Sequence, residues 1–503
     1  MWSLKEVIAG VFLAVAGLVA TVIAIGVRAI FRNFASRPAP SPNLGDNTPH
    51  VTIIRPIKGV EPRLYDCIAA SFRQNYPQDK ISIRLCLEND TDPAYPILQR
   101  VLEDFPGIDA RILFEVDDLA LGTTPNMGPN PKIRNLSRAY REARGDIVWI
   151  VDCNVWMAKG VLGRMVAKLK GHNVGGDNIP YKFVHQLPIV VDLIDYSTPV
   201  AADGQPLLAA SSVEDDDSDH LGGEGGSHDN PKVWAQGGGR LDEMFMATSH
   251  AKFYSAINTS RLAPCAVGKS TMFCKTQLDH ATDPALNPKI PRGKSLPTGV
   301  DYFSHNICED HMIGDVLWNA EFAGYRNHGL VWGDIAVRAR KFTVLPATIF
   351  EPFTESFVFA TYFTFAITTL RIYGIPPTWP ARVITWLTTI TVWMLVDFLG
   401  YRHLHSGVTM EVDEDTPRFA RGSMNRDGIK SRKFSEFLAA WIVLPIWAYA
   451  VVFGNTVNWR GRRFRIRRDT TVEALDPEEE ERSRQVPTPE LERGSSQNKQ
   501  RVD

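Results

Sequence analysis

The chain has 503 residues, 44% of them apolar, and a formal net charge of −2. This length accommodates a large soluble domain together with a membrane region, and it excludes a single small domain. A near-neutral chain lacks the basic field typical of nucleic-acid binding, so an anionic ligand must be met by a local site. The six cysteines lie far apart without a CxxC pair, which favours reduced thiols over a disulfide framework or a zinc site.

Residues 7–27 form an uninterrupted apolar run, about as long as the ~20 residues that a membrane-spanning helix needs. We predict a transmembrane anchor here. The alternative, a cleaved signal peptide, fits less well because the run is long and its basic residues follow it. Arg28, Arg32 and Arg37 come after the run, whereas only Lys5, beside Glu6, precedes it. This asymmetry predicts that the following domain faces the cytosol.

Beyond a basic, Pro-rich linker at 28–50, hydrophobic periodicity predicts alternating strands and helices. The predicted strands lie at 51–59, 81–89, 110–116 and 146–154, and the predicted helices at 63–75, 95–105 and 135–144. Such alternation is typical of an open, mostly parallel α/β sheet. We therefore predict one α/β domain over 51–342.

Residues 203–240 interrupt this domain with the acidic run EDDDSD and several glycines, a composition that favours a disordered insertion. A Ca²⁺ loop is the alternative, but the run lacks the spaced ligands and terminal Glu of such loops. After the insertion, 241–258 has helical spacing and 265–274 resembles a strand.

Apolar runs dominate the chain from 343 onward and predict a membrane region over 343–456, with segments at 343–373, 383–401 and 437–454. Glu351 and Glu355 are costly in hydrocarbon, which places the start of the first segment at the interface, and Asp397 poses the same problem in the second. Four spans would put the Arg-rich segment 459–468 across the membrane from the α/β domain, against the positive-inside tendency. An odd number of spans, or a segment that does not cross, would remove the conflict. The rest of 457–503 is predicted to be a disordered acidic tail.

Carboxylates at predicted strand ends are the first candidates for chemistry. Asp152 ends the apolar run DIVWIVD, at the position where α/β sheets bind ligands and where a carboxylate can hold a metal ion. Asp92 follows another strand and could accept hydrogen bonds from a nucleoside. For both residues an ordinary turn remains an alternative.

Glu309 and Asp310 precede a helical pattern, so one carboxylate can cap the helix while the other acts as a general base. Capping alone is the alternative. Taken singly, His185 and His250 are more typical of histidines with a structural role than of catalytic ones.

Seven segments together resemble the ceramide glucosyltransferases, in a fungal-like form, in both order and approximate spacing. They are VTIIRPIKGVEPRL, CLENDTDPA, NPKIRNL, IVDCNV, ATSHAKFY, CEDHM and VLPATIFEP. The resemblance covers about 51–200 and 241–468. It implies a GT-A fold, inverting transfer of glucose from UDP-glucose to the primary hydroxyl of ceramide, and a cytosol-facing site on Golgi-type membranes.

The resemblance also implies roles for individual residues. Asp92 resembles the family aspartate that contacts the nucleotide, and Asp310 resembles the catalytic base. Asp152 and Asn154 match a degenerate DxD element, which implies Mg²⁺ or Mn²⁺ bound mainly by Asp152. His185, Lys58 and Lys132 match family segments near the active site, the two lysines as partners for phosphate oxygens.

One family element is missing from the sequence. The (Q/R)xxRW motif should precede the LPAT segment, but the chain reads HGLVWGDIAVRARKFTVLPAT, with Arg338 and Arg340 and no Arg-Trp pair. Either an error in the gene structure removed the motif, or Arg338 or Arg340 substitutes for it. A catalytically impaired pseudo-enzyme is therefore one alternative. A related polysaccharide synthase is another, disfavoured by the missing motif and the few C-terminal spans.

Overall fold

The computed structural model describes residues 3–172, 179–192, 239–261, 263–290, 297–323, 330–340, 352–422, 437–438, 441, 456–459, 462–466 and 471–475. Several predicted features lie outside these ranges. They are nearly all of the insertion at 203–240, the LPAT segment, most of the apolar run 437–454 and the acidic tail.

An eight-stranded mixed sheet in the order β3-β2-β1-β4-β7-β6-β8-β5 forms the centre of the α/β domain and confirms the predicted fold class. The strands are β1 Val51–Pro56, β2 Ile81–Leu87, β3 Asp109–Phe114, β4 Ile147–Val151, β5 Val155–Trp156, β6 Phe183–Asp192, β7 Ser270–Cys274 and β8 Leu330–Arg340. Strands β1 to β4 are parallel, as their β-branched runs predict, whereas β7 runs antiparallel to β4. The carboxyl ends of β1, β2 and β4 therefore meet the start of β7 at one edge of the sheet.

Helices cover both faces of the sheet. They are α2 Leu64–Phe72, α3 Tyr95–Asp104, α4 Leu119–Thr123, α5 Pro131–Arg141, α6 Val161–Leu169, α7 Gly239–Ala247, α8 Ser249–Ser260, α9 Lys275–Thr282 and α10 Glu309–Asn319. The strand period of two places Ile53 in the core on one face and Ile54 in the core on the other. The helix predicted over 241–258 is two helices, because Thr248 has non-helical backbone angles (φ −116°, ψ −97°).

Two helices, α1 Leu4–Asn33 and α12 Trp379–Leu404, are long and apolar enough to cross a membrane. Only 11% and 17% of the residues in their most apolar windows are buried, unlike the core helices of soluble proteins. The two helices thus indicate membrane association. Between them, α11 Pro352–Thr369 packs on both, and Phe12 of α1 contacts the rings of Tyr362 and Phe365.

The ends of these helices define the side on which the α/β domain lies. At the carboxyl ends of α1 and α12, Nε2 of His403 lies 2.8 Å from the carbonyl oxygen of Phe34, so both helices end beside the domain. A small sheet of β9 Thr456–Trp459, β10 Arg462–Ile466 and β11 Val472–Ala474 joins the domain too, because the amide of Val472 donates to the carbonyl of His305. The Arg-rich segment therefore lies on the same side as the domain, which removes the conflict raised by four spans.

Asp397 lies inside an apolar run of the sequence, in α12. Its charge is neutralised by a residue of α8, a helix of the α/β domain. Its Oδ1 lies 2.5 Å from Nζ of Lys252 in α8, and its Oδ2 accepts from the indole of Trp441 at 3.1 Å. Both charged side chains are buried. Nζ of Lys252 also lies 4.7 Å from the ring centroid of Trp393. The pair thus ties α8 to α12 and explains how a carboxylate is tolerated there.

We expect Lys252→Met to cost about 3–5 kcal/mol of unfolding free energy, because it leaves Asp397 buried without a counter-charge. The double variant Lys252→Met/Asp397→Leu should recover most of that loss, since neither member of the pair then carries a charge. Thermal unfolding in detergent micelles measures both. Lys159→Met is the matched control, because Lys159 pairs with Asp413 and Asp415 at an exposed position where such pairs contribute only ~0–1 kcal/mol. A Lys252→Met effect no larger than this control would contradict the expectation.

Candidate active site

The first part of the site is the turn that follows β4. Asp152 lies at the carboxyl end of this strand, and its backbone amide donates to the carbonyl of Lys269 because β7 begins alongside. The amide of Val155 donates a hydrogen bond to the carbonyl of Asp152, which closes the turn. The sheet register therefore places both Asp152 and Lys269 at the ligand-binding edge.

The second part is the amino end of α5. Asn130 caps this helix, and its side-chain oxygen accepts from the amides of Lys132 (2.8 Å) and Ile133 (3.1 Å). Pro131 at the first helical position strengthens this start, which explains why α5 begins earlier than the predicted 135. Lys132 is thereby held in the first turn of the helix.

The third part is the amino end of α10, which Asn130 connects to α5. The side-chain amide of Asn130 donates to the carbonyl of Asn306 at 2.7 Å and to Oε2 of Glu309 at 3.3 Å. Glu309 and Asp310 occupy the first turn of α10, and the residue before them, Cys308, makes no side-chain cap. Instead of one capping and one facing the site, both carboxylates turn toward α5.

Three carboxylates converge on the ammonium group of Lys132. Its Nζ lies 2.8 Å from Oε1 of Glu309, 3.0 Å from Oδ1 of Asp152 and 3.0 Å from Oδ2 of Asp310. All four side chains are largely buried. Lys269 adds a second cation, with Nζ 2.5 Å from Oδ2 of Asp152. The structure thus brings Lys132, Asp152 and Asp310, which the sequence predicted separately, into one cluster.

The three carboxylic acids of the cluster have pKa values shifted in different directions. Burial opposes ionisation of Asp152, yet Lys132 and Lys269 hold the pKa of Asp152 well below its usual value. Glu309, also beside Lys132, has a lowered pKa despite its burial. Burial is the main cause that raises the pKa of Asp310 to about 7; Lys132 opposes this shift, and the neighbouring Glu309 and Asp152 add to it. Asp310 therefore matches the requirement for a general base at neutral pH, whereas Asp152 remains an anion.

Gly268 lies directly against Asp310. A Cβ added to this glycine would overlap Oδ2 of Asp310, and Nζ of Lys132 lies 3.5 Å from the carbonyl oxygen of Gly268. Any larger residue at 268 would displace the carboxylate from its position.

The resemblance implies that Asp310 is the base and that UDP-glucose is the donor. On that expectation, Gly268→Ala should lower kcat at least about tenfold while leaving UDP affinity nearly unchanged, because small misplacements of catalytic groups are costly. Steady-state kinetics together with UDP titration separate the two effects. Gly107→Ala is the control, since its Cβ would meet only an ordinary contact, 3.5 Å from the side-chain oxygen of Gln78. Wild-type kcat in Gly268→Ala would show that Asp310 tolerates displacement.

Among the described residues, no group of three or more His, Cys, Asp or Glu side chains could hold a metal ion unaided. The turn after β4 nevertheless suits a cation that also binds phosphates. Asp152 provides a carboxylate, and the buried Oδ1 of Asn154 has no hydrogen-bond partner within the described ranges. Mg²⁺ is typically held by one or two protein oxygens plus substrate phosphates, so the residues of this turn fit such an ion.

Asp92 and Lys58 form a second group at the same edge, after β2 and β1. The carboxylate of Asp92 is buried and accepts from the amides of Gly59 (3.0 and 3.1 Å) and Ala94 (3.0 Å). Gly59 has a positive φ of 67°, which favours glycine. Nζ of Lys58 lies 2.6 Å from Oε2 of Glu88 and 3.8 Å from Oδ2 of Asp92. Asp92 thus joins two loops, and its contact with a nucleotide stays a prediction.

His185 lies on β6, opposite Thr271 of β7, and its side chain is fully buried. Its Nδ1 lies 2.5 Å from the hydroxyl oxygen of Tyr254, and burial lowers the pKa of His185 to about 3. The ring is therefore neutral at physiological pH. Within the described part of the chain, no hydrogen bond or ion pair joins it to the carboxylate cluster, so its role at the site also stays a prediction.

Arg338 and Arg340 lie on β8, where residues two apart share one face. Arg338 pairs in register with Val155, at the end of the turn that carries Asp152 and Asn154. The strand therefore brings the backbone of Arg338 to the candidate cation-binding turn.

Sequence reasoning missed Lys269, Gly268 and Asn130. Lys269 and Gly268 stand in CAVGKSTMFC, where nothing in the residue pattern links them to Asp152 or Asp310. Asn130 precedes a proline and a helical pattern, which is the standard signal of a helix cap, and that signal could have revealed it.

Residues 10–192 match Glycosyl transferase family 21. A ceramide glucosyltransferase from Gibberella zeae is 65% identical over 533 aligned positions and covers 100% of both chains. The chain belongs to the ceramide glucosyltransferase family. Relatives with the same name from Pyricularia oryzae and Candida albicans are 45% and 32% identical, and cover 90% and 84% of this chain and 92% and 88% of their own. The protein is therefore a glycosyltransferase, and its mixed α/β sheet agrees with the predicted fold class. The assignment of the cluster described above to its active site stays a prediction.

Two solved structures are similar more loosely. A mannosyltransferase from Pyrobaculum calidifontis in complex with GDP-Man and Mn²⁺ is 15% identical with a TM-score of 0.38, covering 90% of this chain and 99% of its own. TarS 1-349 from S. aureus in complex with UDP-GlcNAc is 12% identical with a TM-score of 0.29, covering 85% and 100%.

Proposed function

We propose that this enzyme transfers glucose from UDP-glucose to the primary hydroxyl of ceramide with inversion at the anomeric carbon. The observation that carries the proposal is the convergence of Asp152, Glu309 and Asp310 on Lys132, in a chain 65% identical to a ceramide glucosyltransferase. That relative's name supplies the sugar and the acceptor. The cluster supplies a base with a pKa near neutrality beside a fixed anion and two cations.

In the proposed reaction, Asp310 accepts the proton of the ceramide hydroxyl as its oxygen attacks the anomeric carbon of glucose. The bond from that carbon to the UDP oxygen breaks in the same displacement, so the new bond forms on the opposite face. A deprotonated Asp310 is required at the start, and its pKa of about 7 gives a large deprotonated fraction at physiological pH.

We propose that Mg²⁺ or Mn²⁺ assists donor binding through Asp152 and the unpartnered oxygen of Asn154. When bound, such an ion neutralises charge on the leaving diphosphate. Lys58 and Asp92 lie at the same sheet edge and would meet the nucleotide part of the donor. Arg338 and Arg340 are the candidates to replace the missing (Q/R)xxRW arginine, because β8 adjoins the Asp152 turn at Val155.

The acceptor is a lipid, so the site must face a bilayer. We propose a Golgi-type membrane with the domain in the cytosol. Arg28, Arg32 and Arg37 at the domain end of α1 support this orientation, and so does the Arg-rich strand β10 on the same side. Protease protection of sealed vesicles tests it: the domain should be cleaved without detergent.

The full chain, purified in detergent and supplied with labelled UDP-glucose and ceramide, tests the reaction. We expect glucosylceramide with a β linkage by NMR, loss of product on chelation, and recovery with Mg²⁺ or Mn²⁺. Diacylglycerol and UDP-galactose serve as control substrates. An α-linked product would contradict inversion, and a glucan in place of glucosylceramide would favour the polysaccharide synthase.

A pseudo-enzyme remains the second candidate because the sequence lacks the (Q/R)xxRW element. The alignment with the Gibberella zeae relative spans 533 positions against 503 residues here, so at least 30 aligned positions have no residue in this chain. UDP binding without turnover by the purified chain would identify the pseudo-enzyme.

A further inference from the structure

Arg55, in the middle of the sheet on β1, is a buried cation that the proposed reaction does not use. Its side chain is fully buried, and among the described residues no Asp or Glu forms an ion pair with it. Nη2 donates to the carbonyls of Cys67 (2.5 Å) and Val155 (3.0 Å), whereas Nε and Nη1 have no hydrogen-bond partner in the part of the chain that the structure describes. Burial lowers the pKa of Arg55 only to about 10, so it is charged at neutral pH.

The fold alone does not require a charge at this position. A buried charge without a counter-ion is costly, and replacing buried charged groups by apolar side chains of similar volume is often neutral or stabilising. Ile53, two residues earlier on the same face of β1, is an ordinary core residue. The neighbouring strand shows the usual solution, because buried Arg84 pairs with Asp109 at 3.0 Å. Arg55 therefore needs an explanation other than stability.

The two carbonyls that Arg55 holds belong to different parts of the site. Val155 ends the turn whose first residue is Asp152 and whose third is Asn154, and its amide closes the turn on the carbonyl of Asp152. Cys67 lies in α2, a helix of the core. Nη2 of Arg55 therefore connects the turn to this helix. This connection restricts the directions in which the side chains of Asp152 and Asn154 can point.

We propose that Arg55 is a positioning residue that holds the Asp152–Asn154 turn in the geometry that binds the donor diphosphate and its cation. This inference rests on the proposed function, which assigns those two residues to the donor. The stability lost by burying an unpaired guanidinium group is then offset by a turn that is already ordered before the donor binds. Outer partners of ligating groups typically affect metal affinity 10- to 100-fold, which sets the expected size of the effect.

The experiment compares Arg55 with Arg84, a buried arginine that forms an ion pair. The affinity of the purified full chain for UDP is measured in the presence of Mn²⁺. Arg55→Met should weaken UDP binding in the presence of Mn²⁺ about tenfold or more. Its unfolding temperature should equal or exceed that of wild type, because an uncompensated charge is removed. The control Arg84→Met should instead lower the unfolding temperature and leave UDP affinity unchanged, because its partner Asp109 lies at the far end of β3.

Arg55→Lys provides a second variant in case Arg55→Met fails to fold. A lysine keeps the charge, but it is too short to place a donor at the position of Nη2. We expect UDP affinity with Mn²⁺ below that of wild type and above that of Arg55→Met. The KM for UDP-glucose should rise while the KM for ceramide stays constant.

Wild-type UDP affinity in either Arg55 variant would overturn the inference, and so would an Arg55→Met that loses stability without losing affinity per folded molecule. Failure of the proposed function has a different signature. Wild-type chain would then bind UDP with Mn²⁺ yet form no glucosylceramide. The UDP affinities of the Arg55 variants and wild type would still test the role of Arg55.

Discussion

Asp310→Asn should lower the rate of glucosylceramide formation about 10²- to 10⁴-fold, the usual contribution of a general base. An amide cannot accept the proton of the ceramide hydroxyl, although it has nearly the same shape as the carboxylate. UDP affinity should change little, because Asp152 and Asn154 remain in place. Single-turnover kinetics and UDP titration measure the two quantities separately.

Asp315→Asn is the matched control, because Asp315 lies on the same helix and bonds only to Asn319 in the part of the chain that the structure describes. It should retain wild-type turnover. Equal rates for Asp310→Asn and wild type would remove Asp310 from the role of base and leave the site without an assigned proton acceptor.

The pH profile of wild type should show an acid limb near pH 7, because Asp310 must lose its proton before reaction and its pKa is raised to about 7. Stability should follow the opposite trend. The folded chain binds this proton more tightly than the unfolded chain does, so the contribution of Asp310 falls as pH rises from the ordinary value of 3.8 to about 7. Asp310→Asn should therefore be more stable than wild type at pH 8, which thermal unfolding would reveal.

Lys132→Met should have the largest effect on stability and a large effect on turnover. It removes an ammonium group that contacts Asp152, Glu309 and Asp310 together, and removal of one partner of a buried ion pair typically costs about 3–5 kcal/mol. Since Lys132 lowers the pKa of Asp310, the acid limb of the pH profile should also move above 7. Thermal unfolding and pH-dependent kinetics test these two effects.

Lys132→Arg keeps the charge and should be less damaging in both measurements. Lys275→Met is the comparison, because Lys275 pairs with Asp279 one helical turn away and lies 5.0 Å from the ring centroid of Tyr140, contacts whose loss should cost less than removal of a buried cation. If Lys132→Met unfolded at the temperature of wild type, the three carboxylates would not depend on this ammonium group.

The fold of the domain was largely predictable from local patterns. The β-branched runs around Ile53, Leu85 and Ile150 predicted strands with the correct parallel arrangement, because fully buried parallel strands are apolar throughout. The predicted boundaries erred where side chains decide them. Asn130 and Pro131 start α5 early, and Thr248 divides what the helical spacing presents as one helix.

The charged residues at apolar positions were the least predictable feature. Asp397 looked incompatible with a membrane segment until Lys252, from a helix distant in sequence, proved to be its partner. Arg55 gives no local signal of its own, because no sequence pattern distinguishes a buried cation without an ion pair from one at a strand end. Residue spacing along the chain does not indicate which remote segment supplies a counter-charge. Ion pairs of this kind therefore cannot be predicted from local sequence patterns.

The sequence by itself determined the class of fold, the apolar helices and the family, and it selected Asp152 and Asp310 as carboxylates at the ends of predicted elements. These properties depend on residue type and on spacing along the chain, and both can be taken directly from the sequence. The tertiary structure alone decided that both carboxylates meet on Lys132, that Lys269 and Gly268 complete the cluster, and that the Arg-rich strand lies beside the domain. Strand order and register determine such contacts, because they bring together residues that no local pattern relates.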